Sequence, residues 1–136
     1  MATATPAARR LREMSVDDCV ALLRTQPLGR LAYVVGDAPE VVPLNYAVYQ
    51  GAVVFRTGYG DLLDRIHKVP VVFEVDHVDP MKHTGWSVIV HGLAEEIFRI
   101  DELEAVRQLP LRPWAPGERD HYVRIESTRI TGRVIT

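Results

Sequence analysis

From Gly29 onward the chain alternates runs rich in Val, Ile, Tyr and Phe with clusters of turn residues, and nothing else in the sequence constrains the fold as tightly. β-branched and aromatic side chains suit the pleated, half-buried surface of a sheet, and frequent turn residues return each run antiparallel to the one before. The pattern predicts strands over 29–36, 40–49, 52–57, 70–76, 85–98 and 121–135, the last broken near Ser127 and Thr128. Gly36-Asp37-Ala38-Pro39 and Gln50-Gly51 are short enough to close hairpins between the first three. Six strands in a chain of 136 residues favour a closed or nearly closed barrel, because closure removes edges that would template aggregation. The expected class is therefore mainly β, a barrel with short helices.

Three segments break the strand texture. Ser15 is placed to cap a helix, with Asp18 in its first turn and Val16, Cys19, Val20, Leu22 and Leu23 on one apolar face; Pro27 bounds it. Cys19 reads as a core residue. Asp61 to His67 has helical spacing and predicts a short crossover helix, and Asp101 to Leu109 a second one, with acids in its first turn and Pro110 behind it. Pro110 to Asp120, with three prolines and one glycine, reads as a surface loop. Residues 1–12 offer little to bury and are expected to form a disordered tail, leaving 13–136 as a single domain.

Composition narrows the function. A net charge of −2, with 16 Lys and Arg scattered along the chain, provides no basic face for a nucleic acid. A single cysteine excludes an internal disulfide, which suits a reducing cytoplasmic setting. No segment approaches the roughly 20 apolar residues of a membrane span, so no membrane association is expected. Asp76-His77-Val78-Asp79 looks like a metal cluster, but neighbours on a strand point to opposite faces and do not converge on one ion.

Three stretches carry chemistry. In Phe55-Arg56-Thr57-Gly58-Tyr59-Gly60-Asp61 a strand ends in a cation and a hydroxyl, passes two glycines and enters a helix. That is either an anion cradle or an ordinary loop with Arg56 facing solvent. In Val41-Val42-Pro43-Leu44-Asn45-Tyr46 a proline interrupts a strand, which marks an edge or a bulge. Such a place leaves backbone groups, and the Asn45 amide, for a flat heteroaromatic ring, although for this segment alone a bulge without function is the better account. Thr84 to Gly92 is a barrel strand with Trp86 and Ser87 at its entrance and His91 inside, residues that read first as packing or interface groups. Trp114, in the proline-rich loop, reads as an interface aromatic that caps a pocket on a second subunit.

Taken together these stretches resemble the pyridoxamine 5′-phosphate oxidase-like split-barrel flavoproteins, and more closely the branch that includes the nitroimidazole-resistance proteins. The resemblance runs from about Val16 to Val134. It is carried by Leu28-Gly29-Arg30-Leu31-Ala32, Val42-Pro43-Leu44-Asn45-Tyr46, Phe55-Arg56-Thr57 with Gly60, Val72-Phe73-Glu74-Val75-Asp76, Thr84-Gly85-Trp86-Ser87-Val88 with Gly92, and Thr131-Gly132-Arg133. It implies a six-stranded antiparallel split barrel that pairs as a homodimer, with FMN at the seam in sites built from both subunits. By position, Pro43, Leu44, Asn45 and Tyr46 would line the isoalloxazine, Arg56, Thr57 and Gly60 would hold the phosphate, and Trp86 and Ser87 would sit near the ring or ribityl chain. His77 and Trp114 would come from the neighbouring chain.

The chain departs from that pattern at Asp61, where the branch commonly has a lysine; Arg65 and Lys68, one or two helical turns on, are the cations placed to compensate. It also lacks, after Thr131, any counterpart of the substrate-binding Arg and His of the longer pyridoxamine phosphate oxidases, so vitamin B6 oxidation is not expected. The implied activity is an FMN-dependent oxidoreductase acting on a small molecule. Two alternatives stand beside it: a reductase using a deazaflavin cosubstrate, whose acidic tail Arg9, Arg10 and Arg12 would meet, and a non-catalytic flavin- or haem-binding protein, with His91 or His77 as the residue to test.

Overall fold

In the computed structural model, which describes residues 8–58 and 60–136, the Val- and Ile-rich runs form one antiparallel sheet of eight strands. In chain order the elements are β1 (Leu11–Glu13), α1 (Val16–Leu23), β2 (Leu28–Val35), β3 (Ala38–Asn45), β4 (Ala47–Tyr49) and β5 (Ala52–Thr57). Then follow α2 (Asp61–Ile66), β6 (Pro70–Asp79), β7 (Thr84–Glu96), α3 (Ile100–Arg107) and β8 (His121–Ile135). The strands lie in the order β3-β2-β6-β7-β8-β5-β4, and β1 joins the sheet on β8. None of the helices described is long and apolar enough to cross a membrane.

The expected helices and hairpins are present, and the strand count rises from six to eight for two physical reasons. The run over 40–49 divides at Tyr46. Up to Asn45 it pairs with β2, and from Ala47 it pairs with β5. Between them the Tyr46 ring is buried edge-on to Phe73, with centroids 5.1 Å apart, and its hydroxyl donates to the Leu23 carbonyl at 2.6 Å. The chain thus steps from one edge of the sheet to the other, which curls the sheet into a split half-barrel. The second addition is β1. β5 covers β8 only over His121–Ile125, so the far end of β8 has an open edge, which Leu11–Glu13 fill opposite Ile135–Arg133. The expected tail therefore gives way to ordered strand at Leu11; residues 1–7 lie outside the described residues.

The expected break in the last strand is a bulge. His91 faces Arg129 and Gly92 faces Ser127, leaving Thr128 as the extra residue, and its hydroxyl donates to the His91 carbonyl at 3.3 Å. In the second hairpin Gln50 and Gly51 both have positive φ, 50° and 78°, the conformation whose twist matches the flanking strands. The first hairpin turns on Gly36-Asp37 alone, with Val35 opposite Ala38, so Pro39 and Pro43 both lie in β3, an edge strand that tolerates their missing amides.

Inside the curl Leu31, Phe55, Phe73, Val75, Val88, Val90 and Ile125 form the main core, which α1 closes with Cys19 and Leu23. Ser15 caps α1, accepting from the Asp18 amide at 3.1 Å. Burial pushes the Cys19 thiol up, as befits a packing residue. A smaller core of Val54, Ile97, Val106, Leu111 and Tyr122 lies under α3, which an ion pair between Glu102 and Arg124 fastens to β8.

On the outer face one guanidinium serves two carboxylates: Arg30 Nη1 lies 3.5 Å from Glu74 and 3.4 Å from Asp76. Burial, a hydrogen bond with Asp76 and its charge push the Glu74 carboxyl up to about 7, against the opposing pull of Arg30.

Two outcomes follow. Replacing Tyr46 with Phe leaves the Leu23 carbonyl without its donor and is expected to cost about 1 kcal/mol in chemical denaturation. Between the ordinary glutamate pKa and about 7 the folded chain holds a proton at Glu74 that the unfolded chain has released, so this group's contribution to stability falls as pH rises through that window. Thermal melts should show Glu74→Gln gaining on the parent at a pH of about 8 relative to about 5; an equal difference at both would contradict the assignment.

Candidate functional site

β3 and β5 approach each other without forming a ladder, and this gap in the half-barrel is where the sheet leaves room. A cavity of about 620 Å³ opens there, within the range usual for ligand pockets. Its walls are the second half of β3 (Val42, Pro43, Leu44, Asn45), the end of β5 with the start of α2 (Arg56, Thr57, Gly58, Gly60, Asp61 and Leu62), and the proline-rich loop between α3 and β8.

The charged end is built by β5. Arg56 Nε donates to the Arg119 carbonyl at 2.9 Å and Nη1 to the Leu111 carbonyl at 3.2 Å, while the guanidinium lies over the Tyr122 ring at 5.3 Å. Arg56 therefore staples both ends of the loop to the sheet, and of the five N–H donors of a guanidinium these contacts take two. Thr57 is only 4% exposed, and its hydroxyl reaches the Gly58 carbonyl at 3.4 Å, a long bond that an anion's oxygen would better. Gly60 has a φ of 142°, and the space where a side chain would stand is empty, so a ligand can approach its backbone from that side. Asp61 brings a carboxylate to this end, and Arg65 pairs with it one turn on at 3.6 Å. Arg56 and Arg119 thus stand against Asp61 and Glu118 in the lining.

The β3 wall offers an unpaired strand edge, with no amide at Pro43. Asn45 is already engaged at both ends of its side chain: Nδ2 donates to the Pro27 carbonyl at 3.1 Å, and Oδ1 accepts from the Trp114 amide at 2.8 Å. Its place is to hold the loop over the cavity.

The cavity thus gathers Pro43, Leu44, Asn45, Arg56, Thr57 and Gly60 from among the residues named by the sequence, and Trp114 joins them from the same chain. Five others are placed elsewhere. Tyr46 turns into the core, because its hydroxyl is needed at Leu23. Arg65 is spent on Asp61, and Lys68 is an exposed residue with a φ of 59° beyond the end of α2. Trp86 and Ser87 line a separate groove with Glu74, Asp76, His83 and Arg133, and Trp86 also packs against the main core. Arg9 reaches His83 beside that groove at 3.0 Å, and Arg10 pairs its backbone with Thr136, so neither cation is at the cavity. His91 takes Arg129 as its neighbour at 3.2 Å, and His77 is exposed on β6 across from Trp86. Sequence reasoning missed Glu118 and Arg119. The available signal was the density of prolines, which leaves the loop short of amides, so that carbonyls such as those of Leu111 and Arg119 draw side-chain donors such as Arg56.

The donor set fits a phosphorylated heteroaromatic ligand: a guanidinium, a loosely held buried hydroxyl and approachable backbone at one end, and a strand edge along the side. The family model described as pyridoxamine 5′-phosphate oxidase matches residues 15–134. An uncharacterized protein of Mycobacterium tuberculosis is 32% identical over 131 residues, covering 92% of this chain and 86% of its own. The solved structure of the FAD binding protein from Mycobacterium smegmatis is similar at a TM-score of 0.79 and 33% identity, over 90% of this chain and 95% of that one. A Bacteroides thetaiotaomicron protein assigned to 5-nitroimidazole antibiotic resistance shares the fold at a TM-score of 0.67, with 12% identity over 99% of this chain and 96% of that one. A match over nearly the whole chain, on a split antiparallel half-barrel, places it: the chain belongs to the pyridoxamine 5′-phosphate oxidase-like family.

Proposed function

We propose that this chain is a flavin-dependent oxidoreductase that works as a homodimer and holds its flavin in the cavity between β3, β5 and the proline-rich loop. The observation that carries the reading is the pairing, in one cavity, of a phosphate-type donor set at Arg56, Thr57 and Gly60 with the unpaired edge of β3. The sequence points to FMN, and the Mycobacterium smegmatis relative is named for FAD; the two cofactors share ring, ribityl chain and first phosphate, which are the parts these residues would meet. When bound, the flavin supplies hydride or electron transfer between a small donor and a small acceptor.

What the chain itself contributes is position. Arg56 offers its remaining N–H groups to the phosphate while its other two hold the loop, so charge recognition and loop placement depend on one side chain. The backbone of Val42 to Leu44 would meet the polar edge of the ring, and Leu28 and Leu62 give apolar walls that limit water. Asp61 opposes the phosphate, and its pairing with Arg65 offsets part of that repulsion. The homodimer is supported by the separation of Trp86 and Ser87 from the cavity of their own chain. In this reading they complete the cavity of the other copy, and the substrate enters above the ring.

Absorbance and fluorescence titration of the purified protein with FMN and FAD test the reading. Stoichiometric uptake is expected, weakened in Arg56→Ala and strengthened about threefold to tenfold at low salt in Asp61→Lys, with that gain shrinking as salt screens it. Failure of the parent and of Asp61→Lys to take up either flavin would sink it. Sedimentation of the folded protein should give a two-chain species; a monomer would remove the shared site.

A further inference from the structure

Trp114 is 70% exposed, yet its backbone is tied to the sheet. Its amide donates to Asn45 on β3, and Asn45 is itself anchored on Pro27. Before it, Leu111 is buried in the smaller core and its carbonyl accepts from Arg56; after it, the Arg119 carbonyl accepts from the same guanidinium. Pro113 and Pro116 on either side restrict the backbone further. Two strand-borne side chains thus hold the backbone that presents a largely exposed indole at the rim of the cavity. An exposed aromatic plane on an anchored backbone is a usual means of holding a nucleobase by stacking.

The charges beside it point the same way. A terminal phosphate monoester carries a charge of about −1.5 to −2 at neutral pH, whereas each phosphate of a dinucleotide carries about −1, its second ionisation being lost in the anhydride. A lining in which Arg56 and Arg119 are balanced by Asp61 and Glu118 suits the more diffuse charge of the diphosphate better than the concentrated charge of a terminal phosphate.

We infer that Trp114 is the stacking platform for the adenine of a flavin dinucleotide, so that this site selects FAD over FMN; the inference rests on the flavin reading above. Ala substitution of a base-stacking aromatic removes binding worth roughly fivefold to a hundredfold in Kd. The test is a set of titrations of the full chain with riboflavin, FMN and FAD, for the parent, Trp114→Ala and Trp114→Phe, each checked for folding by circular dichroism. The parent is expected to bind FAD at least about fivefold more tightly than FMN. Trp114→Ala should lose that preference by weakening FAD alone, with FMN unchanged to within about twofold, and Trp114→Phe should keep most of it. In a Trp86→Phe background, ADP should quench the remaining Trp114 emission. Equal affinity of the parent for FMN and FAD, or equal weakening of both in Trp114→Ala, overturns this inference while leaving the flavin reading intact. Uptake of no flavin at all overturns both.

Discussion

The architecture depends on how the chain passes through Tyr46. Residues on either side of it belong to opposite edges of the same sheet, β3 and β4, and only a curled sheet brings those edges within one residue of each other. A buried ring against Phe73 and a phenol hydrogen bond to the end of α1 hold the crossing in place. Because the two edges meet at a corner and not along a ladder, β3 and β5 diverge from it. The gap between them is the cavity, so the same interaction that shapes the barrel also keeps it from closing.

The cavity's third wall is a loop with little regular structure of its own, and the sheet supplies what it lacks. Loops rich in proline have carbonyls to satisfy and few amides with which to do so; here Arg56 on β5 donates to two of those carbonyls, and Asn45 on β3 accepts from the Trp114 amide. Leu111 adds an apolar anchor in the smaller core. A segment that composition describes only as surface loop is therefore a placed part of the site.

What the sequence made legible was local. The cap at Ser15, the Gln50-Gly51 turn and the β-branched runs each declare themselves within a few residues, and the structure places them as expected. What it concealed was set at a distance. β1 exists because β8 outruns β5, a matter of relative strand length that no window around Leu11 contains. Tyr46 reads as the end of a site motif until Leu23 is seen to need its hydroxyl. Arg56 was recognisable as a cation at a strand end, but its carbonyl partners lie 55 and 63 residues further on, and only the fold shows that its donors are divided between loop and cavity.

That division ties the two ends of the cavity together. The guanidinium at the charged end and the indole at the rim share one loop, and ordering either limits the freedom of the other. A ligand fragment that fixes the loop at the rim reduces the entropy still to be lost when a second fragment engages Arg56, and the reverse holds equally. An elongated ligand spanning both would therefore bind with more than the summed free energy of its halves. The cooperativity would be carried by the protein, although the halves themselves never touch.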